Sequence, residues 1–302
     1  MVRPCAERKV IEVKKTKGEK IFGVFNTLFM LFMILITLYP FLYVLFASVS
    51  ESNMLMSHRG VLLKPLGFNM RAYALVFKNP NIYTGFKTTA IVLVAGTTLN
   101  IMLTSIGAYL LSRRNFKFGE FMMLMVMITM YVSGGMIPRY LLIYETLNLK
   151  NSLWALILPN AVSTWNLIVM RTNFRQIPES LEESAKIDGA NDLVVLFAIV
   201  LPLSKAIIAV MILFYGVAHW NAWFDALLFI RDREKFPIQL IMREILISNS
   251  TDSMQSYGDS YNGVSESIKY ATIIITTIPI LMIYPFIQKY FVKGIMIGAV
   301  KG

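Results

Sequence analysis

Long apolar segments alternate with polar ones along this chain. The apolar segments hold few charged residues, and each has about twenty residues or more, which is the length of an α-helix that crosses a lipid bilayer. The pattern therefore predicts an all-α integral membrane protein with six transmembrane helices. The predicted spans are residues 21–50, 88–112, 119–138, 151–170, 192–224 and 270–288.

Lysines and arginines flank these segments and orient them in the membrane. Residues 1–20 hold seven of them, and a second cluster lies at 113–118, between the second and third spans. Cytoplasmic segments are enriched in lysine and arginine. Both termini and residues 172–197 are therefore predicted inside, and the predicted external loops are residues 51–87 and 226–268.

The third and fourth spans carry polar or helix-breaking residues. Ser133, Gly134, Gly135 and Pro138 interrupt the third span, and Asn160 and Asn166 lie in the fourth. Broken backbone at membrane depth is tolerated where it is buried in protein or lines a cavity, and polar side chains in a span face the bundle interior. The alternative for the third span is an ordinary outer helix end.

The end of the fifth span mixes aromatic and polar side chains more densely than any other part of the chain. Its tryptophans could form a belt at the membrane interface. They could equally line a path for sugars, whose C–H faces are apolar and whose hydroxyls form hydrogen bonds. The residues predicted to line a substrate path are Gly134, Gly135, Asn160, Asn166, Trp220, Asn221 and Trp223.

The segment 177–197 is polar and lies between two apolar spans. Its composition predicts a short helix that begins after Pro178, ends at Gly189 in a turn with positive φ, and is followed by a second helix that bends at Pro202. A helix lying on anionic lipid carries lysine and arginine on its polar face. This one has three glutamates and two aspartates against Lys186, which favours a protein partner.

The same segment carries a family signature. Glu183-Ser184-Ala185, then three residues, Gly189, nine residues and Ile199-x-Leu201-Pro202 resemble the EAA loop of permease subunits of binding-protein-dependent ABC importers. The wording Leu-Glu-Glu-Ser-Ala-Lys-Ile-Asp-Gly-Ala resembles the carbohydrate, maltose-type branch, with Ser184 in place of the usual alanine. The resemblance implies the type I importer permease fold, with a coupling helix that docks into a cleft on a cytoplasmic ATPase. The implied coupling residues are Glu179, Glu182, Glu183, Ser184, Ala185, Asp188 and Gly189.

The resemblance also divides the chain. It implies a cytoplasmic basic tail at 1–20, a permease domain at 21–292 with the coupling loop at 177–197, and a cytoplasmic tail at 293–302. The polar, glycine-rich tail is expected to extend the sixth helix little and to reach toward the interface between two ATPase subunits. The tail residues implied are Lys293, Gly294, Lys301 and Gly302.

No catalytic or metal-binding pattern is present in the sequence. It lacks a Gly-x-x-x-x-Gly-Lys-Ser/Thr phosphate loop, a Gly-x-Ser-x-Gly elbow and a His-Glu-x-x-His motif, and it has one cysteine and two histidines. The chain is therefore predicted to be neither an enzyme nor a metalloprotein, and to bind no cofactor. The net charge of +11 does not indicate nucleic acid, because the basic residues lie beside apolar segments.

The resemblance implies the partners. They are a second, homologous permease subunit that completes a heterodimer, two ATPase subunits that bind ATP and magnesium, and an extracellular or lipid-anchored solute-binding protein. The cargo is an oligosaccharide, carried by alternating access. The expected location is the bacterial cytoplasmic membrane, as a multi-pass protein with both termini inside.

Three rival functions remain to be weighed. An ion-coupled secondary transporter would carry acidic residues at mid-membrane, and an intramembrane enzyme would need converging ionisable residues. The interior of the spans lacks both. Only the residues of the loop and tail, which resemble the carbohydrate branch, argue against an ABC permease for a non-sugar solute. The basic residues of loop 51–87 are a hint of an anionic saccharide.

Overall fold

The computed structural model describes residues 16–113, 115–247 and 265–299, and within them the chain forms helices and no β-strand. Several predictions lie outside these residues and stay predictions. They concern the basic tail up to residue 15, the polar external segment 248–264, and the tail residues Lys301 and Gly302.

Fifteen α-helices make up most of the described chain. They are α1 (Lys17–Ser48), α2 (Ser52–Ser57), α3 (Arg71–Lys78), α4 (Pro80–Ser112), α5 (Gly119–Tyr131), α6 (Met136–Leu141), α7 (Trp154–Ile157), α8 (Thr164–Phe174), α9 (Glu179–Ile187), α10 (Asp192–Val194), α11 (Leu201–Leu203), α12 (Lys205–Trp220), α13 (Phe224–Phe229), α14 (Ile238–Ile247) and α15 (Ser265–Ala299). Two π-helical turns, Leu142–Thr146 and Val195–Val200, extend α6 and join α10 to α11.

Three of these helices are each long and apolar enough to cross a membrane: α1, α4 and the part of α15 from Glu266 to Ile283. Two bent pairs of helices are also long and apolar enough to cross a membrane if each pair is taken as one span. Gly119–Tyr131 meets Met136–Thr146 at 111°, and Asp192–Leu203 meets Lys205–Trp220 at 88°. The interruption after Tyr131 and the bend beside Pro202, both predicted from the sequence, are confirmed.

The fourth predicted span is not one helix, which corrects the sequence analysis. α7 is followed by a 3₁₀ turn, Leu158–Asn160, and α8 begins only at Thr164. Pro159 has no N–H to donate to the preceding turn, so the α-helical hydrogen bonding stops there. Ser163 then caps α8 by accepting the N–H of Asn166 on its side-chain oxygen.

The two segments that were predicted as external loops contain helices. The second of them contains α13 and α14, and α14 buries Ile238, Leu240 and Ile241. Ile238 and Ile241 pack with Ile82 of α4 and Ile275 of α15, and Leu240 packs in a second cluster with Val92 of α4. The segment as a whole is polar, so α14 was not predicted. Its apolar residues form a short run within a longer stretch of polar ones. The first segment likewise contains α2, α3 and the first turns of α4.

The sixth helix runs further than predicted. α15 continues through Lys293 and Gly294 to Ala299, so the expectation that the tail would leave the helix near Lys293 is wrong. The residues from Ile295 to Ala299 are mainly apolar and include no proline. Isolated glycines cost a helix only about 1 kcal/mol each, and here they do not end it.

The helices pack around α4. α8 and α12 lie against it along most of their lengths, and the contact buries small and polar α4 side chains, including Thr104, Ser105 and Ala108. Small residues allow close helix approach in lipid, where burial of apolar area gives no driving force. At Gly96 the helices approach closely, because a Cβ added there would lie 2.5 Å from the Nε2 atom of His219 on α12.

Replacing Gly96 with alanine tests this packing. Gly96→Ala forces the His219 ring away from α4 and is expected to cost about 1–3 kcal/mol of stability, seen as a lower midpoint of thermal unfolding in detergent. The control is Gly216→Ala on α12, where an added Cβ meets nothing within 4 Å. That variant should be as stable as the parent, or slightly more so. Equal midpoints for both variants would refute the close contact.

Candidate functional site

The polar segment between the fourth and fifth spans folds as a helix, a glycine turn and a second helix. α9 covers Glu179–Ile187, Gly189 adopts φ +84°, and the Asn191 side chain caps α10 by accepting the N–H of Val194 at 2.9 Å. A positive φ strains residues that have a Cβ. The predicted role of Gly189 in the turn is therefore confirmed.

One face of α9 is attached to the rest of the chain. Glu182 is buried and forms an ion pair with Arg113, which follows α4. The Arg113 guanidinium also lies over the Tyr109 ring, 4.4 Å from its centroid. Burial lowers the pKa of Arg113, an effect that the Tyr109 hydroxyl and the carboxylates of Glu179 and Asp192 oppose. Glu182 was predicted to contact an ATPase, and that contact stays a prediction; in the structure the buried Glu182 attaches α9 to the residue that follows α4.

The other predicted coupling residues lie on the outer side of α9 and its turn. Glu183, Ser184, Asp188 and Gly189 are exposed, whereas Ala185 is half-buried against the core. Ile187 is 85% exposed. An apolar side chain this exposed on a short polar helix marks a surface that a partner can cover. An ion pair of 2.8 Å between Lys186 and Asp192 holds the two short helices together.

A cavity of about 810 Å³ opens beside the break in the fourth span. Asn160 and Asn166, which were predicted to face a path, line it. Trp165 and Phe214 add aromatic rings to the wall, and Tyr215 and His219 add rings that also carry polar atoms. Tyr215 and His219 were not among the residues predicted to line the path. They are four residues apart on one apolar helix, and this spacing indicates that they share a face.

Polar side chains satisfy the backbone of the break. The Asn100 amide donates to the carbonyl oxygens of Asn160 and Ala161 at 2.6 and 2.8 Å, and its own oxygen lies 2.7 Å from His219 Nε2. The Tyr215 hydroxyl accepts the N–H of Ser163 at 3.1 Å. Both N–H groups of the Asn100 amide bond to the two carbonyl oxygens, which fixes the orientation of the amide. Its oxygen can only accept a hydrogen bond, so His219 carries a hydrogen on Nε2.

A second cavity of about 580 Å³ lies at the break in the third span. Ser133, Gly134, Gly135 and Arg139 line it, and Gly135 adopts φ +81°, as the predicted interruption required. Arg139 donates to Asp225 at 2.9 Å. This pairing was not predicted, because nothing in the sequence indicates that two residues so far apart meet.

The predicted tryptophans point elsewhere. Trp220 is buried, and its ring centroid lies 6.3 Å from that of Phe86. Trp223 packs inside the chain, with Arg243 over its ring at 4.1 Å. Successive residues on a helix are turned by about 100°, so when His219 faces the 810 Å³ cavity its neighbour Trp220 does not.

Asn221 is exposed at the end of α12, where its amide donates to the Val217 carbonyl at 3.0 Å. It lines neither of the two cavities described above. In the described ranges, no three histidine, cysteine, aspartate or glutamate residues are grouped so that they could hold a metal ion.

Proteins of known family match this chain over most of its length. No protein-family model matches it. It is 43% identical over 276 residues to the polygalacturonan/rhamnogalacturonan transport system permease protein YtcP of Bacillus subtilis, covering 91% of this chain and 96% of that protein. It is 40% identical over 290 residues to Protein LplC of Bacillus subtilis, covering 95% and 97%.

A solved structure shares the fold. A chain from the crystal structure of a bacterial ABC transporter involved in the import of the acidic polysaccharide alginate matches with a TM-score of 0.85 and 28% identity. The match covers 92% of this chain and 99% of that chain.

The Arg113–Glu182 pair gives a test of how α9 is held. Glu182→Ala leaves Arg113 without its partner in a mostly buried site and is expected to destabilise the purified chain by about 2–4 kcal/mol. Glu183→Ala, on the exposed side, should change stability by less than about 0.5 kcal/mol. The double variant Arg113→Ala/Glu182→Ala should recover part of the loss. Equal unfolding midpoints for the two single variants would contradict the assignment.

Proposed function

This chain belongs to the permease subunits of carbohydrate ABC transporters, and we propose that it forms part of a membrane path for an oligosaccharide. One observation carries the proposal: the wall of the 810 Å³ cavity combines aromatic rings with amide, hydroxyl and imidazole groups. Aromatic faces suit the C–H faces of sugar rings, and the polar groups suit their hydroxyls. A path through the bundle needs both at membrane depth.

The class of saccharide is proposed from the relatives. One similar protein is named for polygalacturonan and rhamnogalacturonan, and the matching structure for alginate, an acidic polysaccharide. Polygalacturonan consists of sugar acids as well. An acidic oligosaccharide is therefore the favoured cargo, in keeping with the basic residues of the first external segment.

The partners are proposed on the same basis. They are a second permease subunit, two ATPase subunits that hold ATP and magnesium, and a solute-binding protein outside the cell. Exposed apolar surface supports the first of these: residues 21–38 of α1 are exposed, and α5 presents methionines such as Met122 and Met125. Lipid and a second permease can share these faces.

Coupling is proposed to run through α9. The ATPase would cover Ile187, pair a basic residue with Glu183, and push a helix that the Glu182–Arg113 and Lys186–Asp192 pairs hold as one unit with its neighbours. The movement would pass through the π-helical turn Val195–Val200 to the bend before α12 and so to the cavity wall. The cycle requires that ATP and cargo bind the two states with different affinity.

Orientation and docking can be tested with one cysteine. On a Cys5-free background, a cysteine in place of the exposed Ser184 should resist an impermeant maleimide added outside cells. It should react in inverted vesicles from which the ATPase has been stripped, and be protected once the ATPase is restored. The control is Ser57→Cys in the exposed end of α2, which should react from outside. Labelling at position 184 from outside would refute the topology.

The cavity can be tested with matched tryptophans. Trp165 lines the cavity and is 59% exposed, and Trp154 lies outside it and is 53% exposed. Losing an aromatic contact to a sugar ring costs about 1 kcal/mol, or roughly a fivefold loss of affinity. Trp165→Ala should slow oligosaccharide import into proteoliposomes containing the complete transporter, and Trp154→Ala should not. Unaltered import by Trp165→Ala would remove this wall from the path.

A further inference from the structure

Three broken segments meet at one charged group. Arg139 lies in α6, Asn160 ends the 3₁₀ turn after α7, and Asp225 lies in the first turn of α13. The Asp225 carboxylate accepts from Arg139 Nη2 and from Asn160 Nδ2, both at 2.9 Å. Arg139 Nη2 also lies 3.4 Å from Asn160 Oδ1.

This group lies between the two cavities. Asn160 lines the 810 Å³ cavity and Arg139 lines the 580 Å³ cavity. The contacting residues Arg139 and Asn160 therefore border both cavities. No aspartate or glutamate is among the residues that line either cavity.

The Arg139 guanidinium is only partly used. It carries five N–H donors, and its hydrogen bonds within the described residues come from Nη2 alone. The Arg139 side chain is 40% exposed and that of Asp225 only 11%. Asp225 is therefore the more buried member of the pair, and the Nε and Nη1 groups of the guanidinium form no hydrogen bond within the described residues.

Other arginines on this side of the molecule are engaged differently. Arg231 and Arg243 lie over the rings of Tyr144 and Trp223, and Arg233 pairs with Glu244 at 3.2 Å on the surface. None of the three lines either cavity. Arg139 differs from them because it combines a cavity position, a fixed orientation and unused donors.

We propose that Arg139 binds the carboxylate of a sugar acid as an acidic oligosaccharide passes between the two cavities, an inference that rests on the proposed import function. The Nε and Nη1 groups, which Asp225 and Asn160 leave unused, can each donate a charge-assisted hydrogen bond to a carboxylate. Asp225 positions Arg139. The Asp225 carboxylate also accepts an N–H from Asn160, which stabilises its negative charge. The site would distinguish an acidic saccharide from a neutral one of the same size.

Two variants separate recognition from structure. Arg139→Gln/Asp225→Asn removes both charges and retains amide groups that can hydrogen-bond to each other. Asp225→Asn alone keeps the guanidinium and offers an amide oxygen to hold it. If the pair served only to hold the helices together, Asp225→Asn would damage the protein as much as the double variant, because it would leave Arg139 without a counterion.

The measurement is import into proteoliposomes that contain the complete transporter with its solute-binding protein. The probes are trigalacturonic acid and its carboxyl-reduced, neutral counterpart. The double variant should slow import of the acid by about tenfold or more, since a charge-assisted hydrogen bond contributes 1.5–3 kcal/mol. Asp225→Asn keeps the guanidinium but orients it less well, so it should slow acid import clearly less than the double variant does. Import of any neutral trisaccharide that the parent carries should stay within about twofold of the parent. The loaded binding protein should still stimulate ATP hydrolysis in both variants.

The control pair is Arg233→Gln/Glu244→Gln, which removes an equivalent ion pair outside the cavities and should leave acid import unchanged. Equal import of the acid by the parent and the double variant would overturn the inference, as would equal losses in the double variant and Asp225→Asn. A parent that imports only neutral saccharides would also overturn it while leaving the proposed function intact. A parent that imports no oligosaccharide would refute both.

Discussion

The fold depends on satisfying backbone groups where helices break inside the membrane. A carbonyl oxygen without a donor costs several kcal/mol in hydrocarbon, and the break at Leu158–Ser163 frees several of them. Asn100 donates to two of these, and Tyr215 takes the N–H of Ser163. Both side chains reach the break from unbroken helices, so α4 and α12 act as the supports on which an irregular segment can be built.

The same arrangement explains why the cavities lie where they do. Each lies beside a break, at Pro159–Ser163 and at Ser133–Gly135, because a missing turn of helix leaves space and exposes polar atoms. The charged group of Arg139, Asn160 and Asp225 then joins the broken segments to one another. At the other end of α4, Arg113 and Glu182 do the equivalent for α9, since they attach this short helix to the residue that follows α4. Short irregular elements are thus held by a few polar contacts to long regular ones.

The features that could be predicted from sequence are local ones. The turn at Gly189, the bend at Pro202 and the break at Gly134 and Gly135 each follow from a residue that changes its own backbone. The contacts of Glu182 and Asp225 could not be predicted, because their partners lie far away in sequence and no local pattern indicates them. Trp220 was assigned to the path for its chemistry, but it does not line the 810 Å³ cavity, because Tyr215 and His219 occupy the side of α12 that faces this cavity. α14 was missed because the average polarity of its segment concealed its buried side.

The arrangement of Asn100 has a consequence for acid and base. Its oxygen accepts the hydrogen on Nε2 of His219, and that hydrogen is present in both the neutral imidazole and the imidazolium. Gain or loss of a proton at Nδ1 therefore leaves the bond to Asn100, and through it the support of the broken segment, in place. A histidine at the centre of a membrane bundle is the residue most readily taken for a pH switch. Here the hydrogen bond that supports the break is the same whether the ring is neutral or charged.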